Sequence, residues 1–332
     1  YLKKMKKNVA LVAGGYSGEY AISIKTAITI ENNIDKEKYK VYKIILDKKN
    51  WKYTTAEGKE IEVDRKDFSL QIEEEKVIFD TVFIAVHGTP GEDGKFQGYL
   101  EMLNIPFTSC GGIVSGLTFN KIYCNRVVAQ SQMVNVAKSI HILKNKNVSN
   151  DEILKQVTLP VFVKPAEGGS SLATTKVKQI EEMQAALQAV FDIEPQAMIE
   201  EYVKGREFSI GVYAINHECI ALPITEIIST KEFFDYEAKY TSGITNEVTP
   251  AELNKEIALE ITETAKKIYS LLNCKGICRI DFILENETEK LYFLEINTIP
   301  GQSENSIVPQ QVKASGSTLI RFYGDLLEDS MK

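Results

Sequence analysis

The sequence predicts an α/β protein that opens on a parallel sheet and continues as an α+β half, and three observations predict it. Short apolar strands alternate with helix-spaced segments through roughly the first hundred residues, the rhythm of βαβ units whose strands run parallel. The first and third of those strands end in glycine loops. Beyond residue 139, strand-like runs also follow one another across short polar turns, as antiparallel hairpins do. At 332 residues the chain has material for two or three domains with substantial cores, and its texture changes near residue 120.

Taken in order, residues 8–13 are an apolar strand that runs into Gly14-Gly15-Tyr16-Ser17-Gly18-Glu19, after which Ala21, Ile22, Ile24, Ala27 and Ile30 mark a helix. Such a turn gathers backbone N–H groups around a small anion or polar ligand, and in many α/β domains it binds nothing. Strands over 40–46 and 77–86 complete the parallel opening. The latter ends in His87-Gly88-Thr89-Pro90-Gly91-Glu92-Asp93-Gly94, ahead of a helix through Gln97 and Leu100. Ligand sites in such sheets collect at the carboxyl ends of strands, and His87 reads there as a positioning group. Cys110-Gly111-Gly112 leads to a polar helix beginning near Asn120-Lys121.

Strands over 139–143 and 159–163 flank a helix near 151–156 and deliver Lys164-Pro165, followed by Ala166-Glu167-Gly168-Gly169-Ser170-Ser171. That small-residue loop either folds over a triphosphate with its amides and hydroxyls or is a plain hairpin tip. It is not a P-loop, because no G-x-x-x-x-G-K-[ST] run is present. An amphipathic helix over 180–191 precedes a strand over 198–203 containing Glu200, and Glu207 opens the next strand, to 214. Glutamates here either meet an adenine amino group and ribose hydroxyls or lie on the surface. The loop 231–245, with Phe234, Tyr236 and Tyr240, reads as a lid, and a long helix over 251–272 leads to the final hairpin.

That hairpin carries the clearest chemistry. Arg279-Ile280-Asp281-Phe282 and Leu294-Glu295-Ile296-Asn297 alternate polar with apolar, so Arg279 and Asp281 share one face and Glu295 and Asn297 share a face on the partner strand. A turn centred on Thr288 sets Asp281 opposite Glu295 and Arg279 opposite Asn297. Two carboxylates directly across a sheet repel unless a cation lies between them. Oxygen ligands on a rigid sheet beside an arginine suit Mg²⁺ carrying a phosphate-bearing substrate.

Composition narrows the remaining classes. A formal charge of −7 and a pI near 5.3 argue against nucleic acid or an anionic membrane as partner. Cys274 and Cys278 have no second pair, the spacing of the five cysteines suggests no zinc site, and a reducing compartment is expected. No apolar run reaches the length of a membrane span and no signal-type core follows the basic start; Met5 reads as the natural start and the protein as cytoplasmic.

Seven motifs in this order resemble one family, the D-alanine–D-alanine ligases of the ATP-grasp superfamily, from Gly14 to Pro309. They are Gly14-Gly15-x-Ser17-x-Glu19, His87-Gly88-x-x-Gly91-Glu92-Asp93-Gly94-x-x-Gln97-Gly98, Lys164-Pro165, Gly169-Ser170-Ser171, Asp235-Tyr236-Glu237-Ala238-Lys239-Tyr240, Arg279-x-Asp281-Phe282 and Glu295-x-Asn297-Thr298-x-Pro300-Gly301. The resemblance implies an N-terminal α/β domain over 1–120, followed by two α+β domains gripping ATP, a central lid domain over 121–207 and a C-terminal catalytic domain over 208–332. It implies that Asp281, Glu295 and Asn297 bind two Mg²⁺ ions, with Mn²⁺ an alternative, and that Arg279 stabilises charge in phosphoryl transfer. Lys121 and Lys164 look like phosphate contacts, Glu200 and Glu207 like adenine and ribose contacts, Ser171 like part of the phosphate loop, and Lys239 like a contact to the transferred phosphate. Glu19, Ser170 and Tyr240 match a trio at the first D-alanine, with His87 beside it. Ser306 matches a residue holding the second carboxylate, and Gly301 N–H an oxyanion contact.

The implied reaction needs no protein nucleophile. ATP phosphorylates the first D-alanine, and the amine of the second attacks the acylphosphate while a lid excludes water. A homodimer supplying peptidoglycan precursor is the family's pattern. Glu167-Gly168 stands where a basic-acidic pair is more usual, Leu172-Ala173 replaces Val-Gly, and Gln302-Ser303 replaces Met-Thr, which implies a stiffer or re-aimed phosphate loop and altered acceptor details. A D-alanine–D-lactate or D-serine ligase is the nearest rival, against which Tyr240 speaks. A non-catalytic nucleotide-binding relative is the other, against which the intact Asp281, Glu295, Asn297 and Arg279 speak.

Overall fold

The computed structural model describes residues 5–168, 172–229 and 245–332. Strand Lys7–Gly14 pairs in parallel with Tyr39–Leu46 on one side and Thr81–Ile84 on the other, as the βα rhythm predicts. Trp51–Thr54 and Glu60–Glu62 extend the edge in antiparallel fashion, giving five strands. The strand expected over 77–86 is divided: Glu75–Val77 pairs with Leu70–Ile72 in a separate ribbon, and Thr81–Ile84 enters the main sheet. Asp80 marks the break, its carboxylate accepting the Asn8 N–H at 2.8 Å and pairing with Lys7 at 2.7 Å.

The single helix expected near Asn120 is preceded by another. Gly112–Phe119 and Lys121–Gln130 are separated by Asn120, which is extended and caps the second helix by accepting the Tyr123 N–H.

A four-stranded antiparallel sheet follows, in the order Thr175–Val177, Val161–Pro165, Gln196–Glu201, Ser139–Leu143. Helices Asn150–Leu154 and Met183–Phe191 cover one face and enclose Ile140, Val161, Val163, Leu187, Val190 and Ile199 in a core of their own. Strand alternation turns Phe162, Lys164 and Glu200 to the other face, toward a cleft.

The last sheet runs Thr245–Val248, Thr225–Ser229, Gly205–Ile215, Cys278–Glu285, Leu291–Asn297, Asn135–Val136, with Glu218–Ala221 added beside Gly205–Ile215. That added hairpin turns on Asn216 and His217, at φ 52° and 69°, the left-handed pair a tight type I′ connection requires. Helix Lys255–Leu271 seals one face, burying Ile261, Ala265 and Ile268 against Phe208, Ile210 and Ile280. Helices Ile307–Ala314 and Leu319–Ser330 bury Val308, Val312, Phe322 and Tyr323 with Val9, Leu11 and Phe83 of the first sheet, so the first and last sheets share one core.

Candidate active site

A cleft of about 1150 Å³ lies where the three sheets meet. Its walls include Glu19, His87, Lys121, Lys164, Glu200, Glu207, Arg279, Asp281, Glu295, Asn297, Gly301 and Ser306. Ser170, Ser171, Lys239 and Tyr240 lie outside the described residues, as does most of the loop read as a lid.

The hairpin register is the expected one at the site: Arg279 faces Asn297 and Asp281 faces Glu295. A bulge follows between Asp281 and Phe282, where Phe282 pairs with Phe293 and Leu294 is the extra residue. The bulge reverses the alternation, so Phe293 stays in the core while Leu294 and Glu295 both line the cleft.

Arg279 holds Asp281 in a fork, Nη2 to Oδ2 at 2.7 Å and Nε to Oδ1 at 3.0 Å, while Ser209 on the neighbouring strand donates its hydroxyl to Oδ1 at 2.6 Å. Burial alone would lower the Arg279 pKa, but the charges of Asp281, Glu295 and Glu207 outweigh it and raise it. The Asn297 amide stands 3.4 Å from Asp281 and 3.5 Å from Glu295. Two carboxylates and an amide on one sheet face are a hard-oxygen donor set that fits Mg²⁺.

On the small sheet, Lys164 pairs with Glu200 at 2.5 Å, with side chains 12% and 5% exposed, and Asn125 donates to the second Glu200 oxygen at 3.2 Å. Both carboxylate oxygens of Glu200, the residue the resemblance assigns to adenine or ribose, are thus engaged within the protein. Lys121 anchors the start of the small-residue loop through its Nζ to the Gly168 carbonyl at 2.5 Å. Ala173, where a glycine is the family's habit, adopts φ 51°, a left-handed conformation that costs a non-glycine residue roughly 1–2 kcal/mol.

At the other end, His87 is buried with Nδ1 against the Ile299 carbonyl and Nε2 against the Thr26 hydroxyl, both at 2.9 Å. A carbonyl only accepts, so Nδ1 carries the proton and Nε2 accepts from Thr26, which in turn accepts the Gln302 N–H at 3.3 Å. Burial pushes the His87 pKa down, against the opposing pull of Glu19, which agrees with a neutral ring that positions the 299–302 segment. Burial, and then the charge of Glu19, push Glu92 up to about 8, leaving it protonated at neutral pH although Gly88 N–H donates to it at 2.7 Å. Gly88 (φ 67°) has no room for a side chain: a Cβ would stand 2.6 Å from Ser17 Oγ and 3.1 Å from Glu19 Oε2. Ser306 precedes helix Ile307–Ala314 and bonds Ser303 Oγ at 2.7 Å, and a Cβ on Gly301 would meet its hydroxyl at 3.2 Å.

Ser209, Asn125, Thr26 and Glu92 were not read from the sequence as site residues. Glu92 was visible inside a glycine motif. The other three lie on elements remote in the chain from the residues they hold.

Comparisons with known proteins place the chain in a family. The model of the D-ala D-ala ligase N-terminus matches residues 8–110 and that of the D-ala D-ala ligase C-terminus matches residues 126–328. The chain is 40% identical over 328 residues to the D-alanine–D-alanine ligase of Parabacteroides distasonis, covering 99% of this chain and 98% of that protein. Among solved structures it is similar to the VanG D-Ala:D-Ser ligase of Enterococcus faecalis, with TM-score 0.87 and 28% identity, over 98% of this chain and 100% of the other. The ATP complex of the Bacillus anthracis D-alanine–D-alanine ligase aligns with TM-score 0.78 and 28% identity, over 98% and 97%. With its fold that of the ATP-grasp ligases and both halves matched, the chain belongs to the D-alanine–D-alanine ligase family.

Proposed function

We infer that the chain is an ADP-forming ligase that joins two D-alanines at the expense of ATP, supplying D-alanyl-D-alanine for peptidoglycan precursors. One observation carries the site reading: Arg279, Asp281, Glu295 and Asn297 stand as two facing pairs on the cleft side of one hairpin.

Asp281, Glu295 and Asn297 are the residues that would hold two Mg²⁺ ions, and Mn²⁺ would fit the same oxygens. Bound there, the ion screens the charge of the phosphate oxygens. Arg279, fixed by Asp281, presents cationic charge to the transferred group. Lys164 and Lys121 face the phosphates from the small sheet and its flanking helix. Glu207 takes the ribose, and Glu200 reaches the nucleoside only by releasing Asn125 or Lys164. Ser171 and Lys239 are assigned to the phosphates from the family motifs alone.

Glu19 binds the ammonium of the first D-alanine with Ser170 and Tyr240 beside it, and His87 sets the wall. The helix start at Ser306 takes the second carboxylate, with Gly301 N–H as the oxyanion contact. The three units 1–120, 121–207 and 208–332 serve as amino-acid wall, nucleotide cover and metal floor. A cytoplasmic homodimer that uses neither nucleic acid nor membrane suits this chemistry; among the described residues no helix is long and apolar enough to cross a membrane.

The test is mass spectrometry of products from ATP, Mg²⁺, D-alanine, D-serine and D-lactate. D-alanyl-D-alanine as the main product supports the reading, whereas a depsipeptide or a serine-terminated dipeptide moves the assignment to a rival ligase. Asp281→Asn is expected to abolish D-alanine-dependent phosphate release, and retained release would remove the metal assignment.

A further inference from the structure

Cys110, Cys274 and Cys278 converge in the buried core beneath the catalytic hairpin, their sulfurs all within 4.8 Å of one another and outside the cleft. Cys110 Sγ lies 3.6 Å from Cys278 Sγ. The backbone holds this grouping tightly. Cys110 follows Thr108 and Ser109 at the exit of the first sheet, and the turn 273–277 packs on that exit so closely that a Cβ on Gly276 (φ 63°) would lie 1.9 Å from the Thr108 carbonyl. Tyr269 donates its hydroxyl to the Gly276 carbonyl at 2.7 Å, fixing the same turn from the helix side.

We propose that Cys110, Cys274 and Cys278 form a structural site for a thiophilic d¹⁰ metal ion of the Zn(II) class, which staples the first sheet to the strand carrying Arg279 and Asp281. Two sulfurs sharing a zinc ion at about 2.3 Å stand about 3.8 Å apart at the tetrahedral angle, so the observed sulfurs need little movement to close on one. The Lys275 N–H donates to Cys110 Sγ at 3.3 Å, the kind of backbone contact that supports a thiolate ligand, and the Lys275 carbonyl, 3.4 Å from the same sulfur, is an oxygen at the edge of the cluster. Ligation by the three thiols releases three protons to solvent, and the three thiolates around a dication carry a net charge of −1, which the Lys275 N–H beside Cys110 Sγ partly offsets. A disulfide would engage two of the sulfurs and leave the third unexplained. Chain spacing hides the site, because Cys110 lies 168 residues before Cys278.

The test uses the full chain, stripped of metal and kept reduced without a chelating thiol, titrated with Zn²⁺ against a chromophoric chelator and separately with Co²⁺. One equivalent per chain, a thiolate-to-cobalt charge-transfer band, proton release on binding and a higher melting temperature are expected. Metal held at the Asp281 and Glu295 oxygens produces no such band, which separates the two sites. Cys274→Ser is expected to weaken binding by at least about 100-fold, since loss even of a supporting contact costs about 10–100-fold. Cys219→Ser, outside the cluster, is expected to leave binding unchanged. If Cys274→Ser does not fold, the wild-type titration decides alone. Less than about a tenth of an equivalent bound, absence of the band in the wild type, or equal weakening by Cys219→Ser overturns the proposal.

Discussion

Ser209 is buried beneath Asp281 and gives it the shortest hydrogen bond at the proposed metal face, 2.6 Å. A supporting partner of this kind typically changes metal affinity about 10–100-fold. Ser209→Ala is therefore expected to raise the Mg²⁺ concentration for half-maximal ATP turnover about tenfold while sparing turnover at saturating metal; an unchanged Mg²⁺ dependence would remove Ser209 from the site. Glu92 makes a different statement, through pH. Its value of about 8 in the fold exceeds the ordinary 4.5, so folding takes up a proton across that window, and the stability this confers is full below pH 4.5 and is lost as pH rises through 8. Glu92→Gln keeps a neutral acceptor for Gly88 N–H and removes the slope. Its melting temperature relative to wild type should climb from pH 6 to pH 9, and a constant difference across that range would refute the assignment. His87 acts at the acid end: its lowered pKa means that stability falls as pH drops below 6.5. The side chains with strand alternation behind them were legible in the sequence, as Asp281 and Glu295 were. Ser209, 72 residues from Asp281, was not, because only the antiparallel register of two strands brings it there.

The hairpin pairing follows from one turn and two alternating runs, and its site end agrees with the sequence to the residue. The bulge does not follow from any local signal, since Leu294 is an ordinary strand residue whose displacement arises from fitting Phe293 into the core. The four short strands of 51–77 escaped for a similar reason, being too brief for periodicity to register. A second irregularity lies in Gly205–Ile215, one edge of which pairs first with Thr225–Ser229 and then with Glu218–Ala221. Gln311 bridges the interval: its Oε1 accepts the Gly211 N–H at 2.9 Å, and its Nε2 donates to the Ser209 carbonyl at 2.9 Å and to the Thr225 hydroxyl at 3.0 Å. The side chain is fully buried. Gln311→Ala strands those groups away from water and should cost about 2–4 kcal/mol, measured from urea unfolding; a loss under about 1 kcal/mol would mean that water or a backbone shift replaces the amide.

At the scale of the molecule, the parallel opening sheet and the closing hairpin were readable from periodicity, but the sharing of cores was not, since contacts between remote segments leave no periodic trace. The first and last sheets share Val9, Leu11, Phe83, Val308, Val312 and Phe322 in a continuous interior, whereas the four-stranded sheet encloses its own. Beyond that private core, a small apolar group of Ile122, Ala166 and Met198 ties it to helix Lys121–Gln130, along with the Asn125–Glu200–Lys164 chain. Amide hydrogen exchange is expected to show residues 139–168 and 172–201 opening as a unit of lower stability than strands 7–14 and 278–285, and equal protection throughout would contradict this division. The shared interior limits how the cleft can open. A motion between the first and last sheets would tear apolar surface into water, while swinging the small sheet about 137–138 and 202–204 exposes little. On the proposed assignment of roles, the amino-acid wall and the acid-bearing strands travel as one anvil, and admission and release of nucleotide fall to a single hinged jaw.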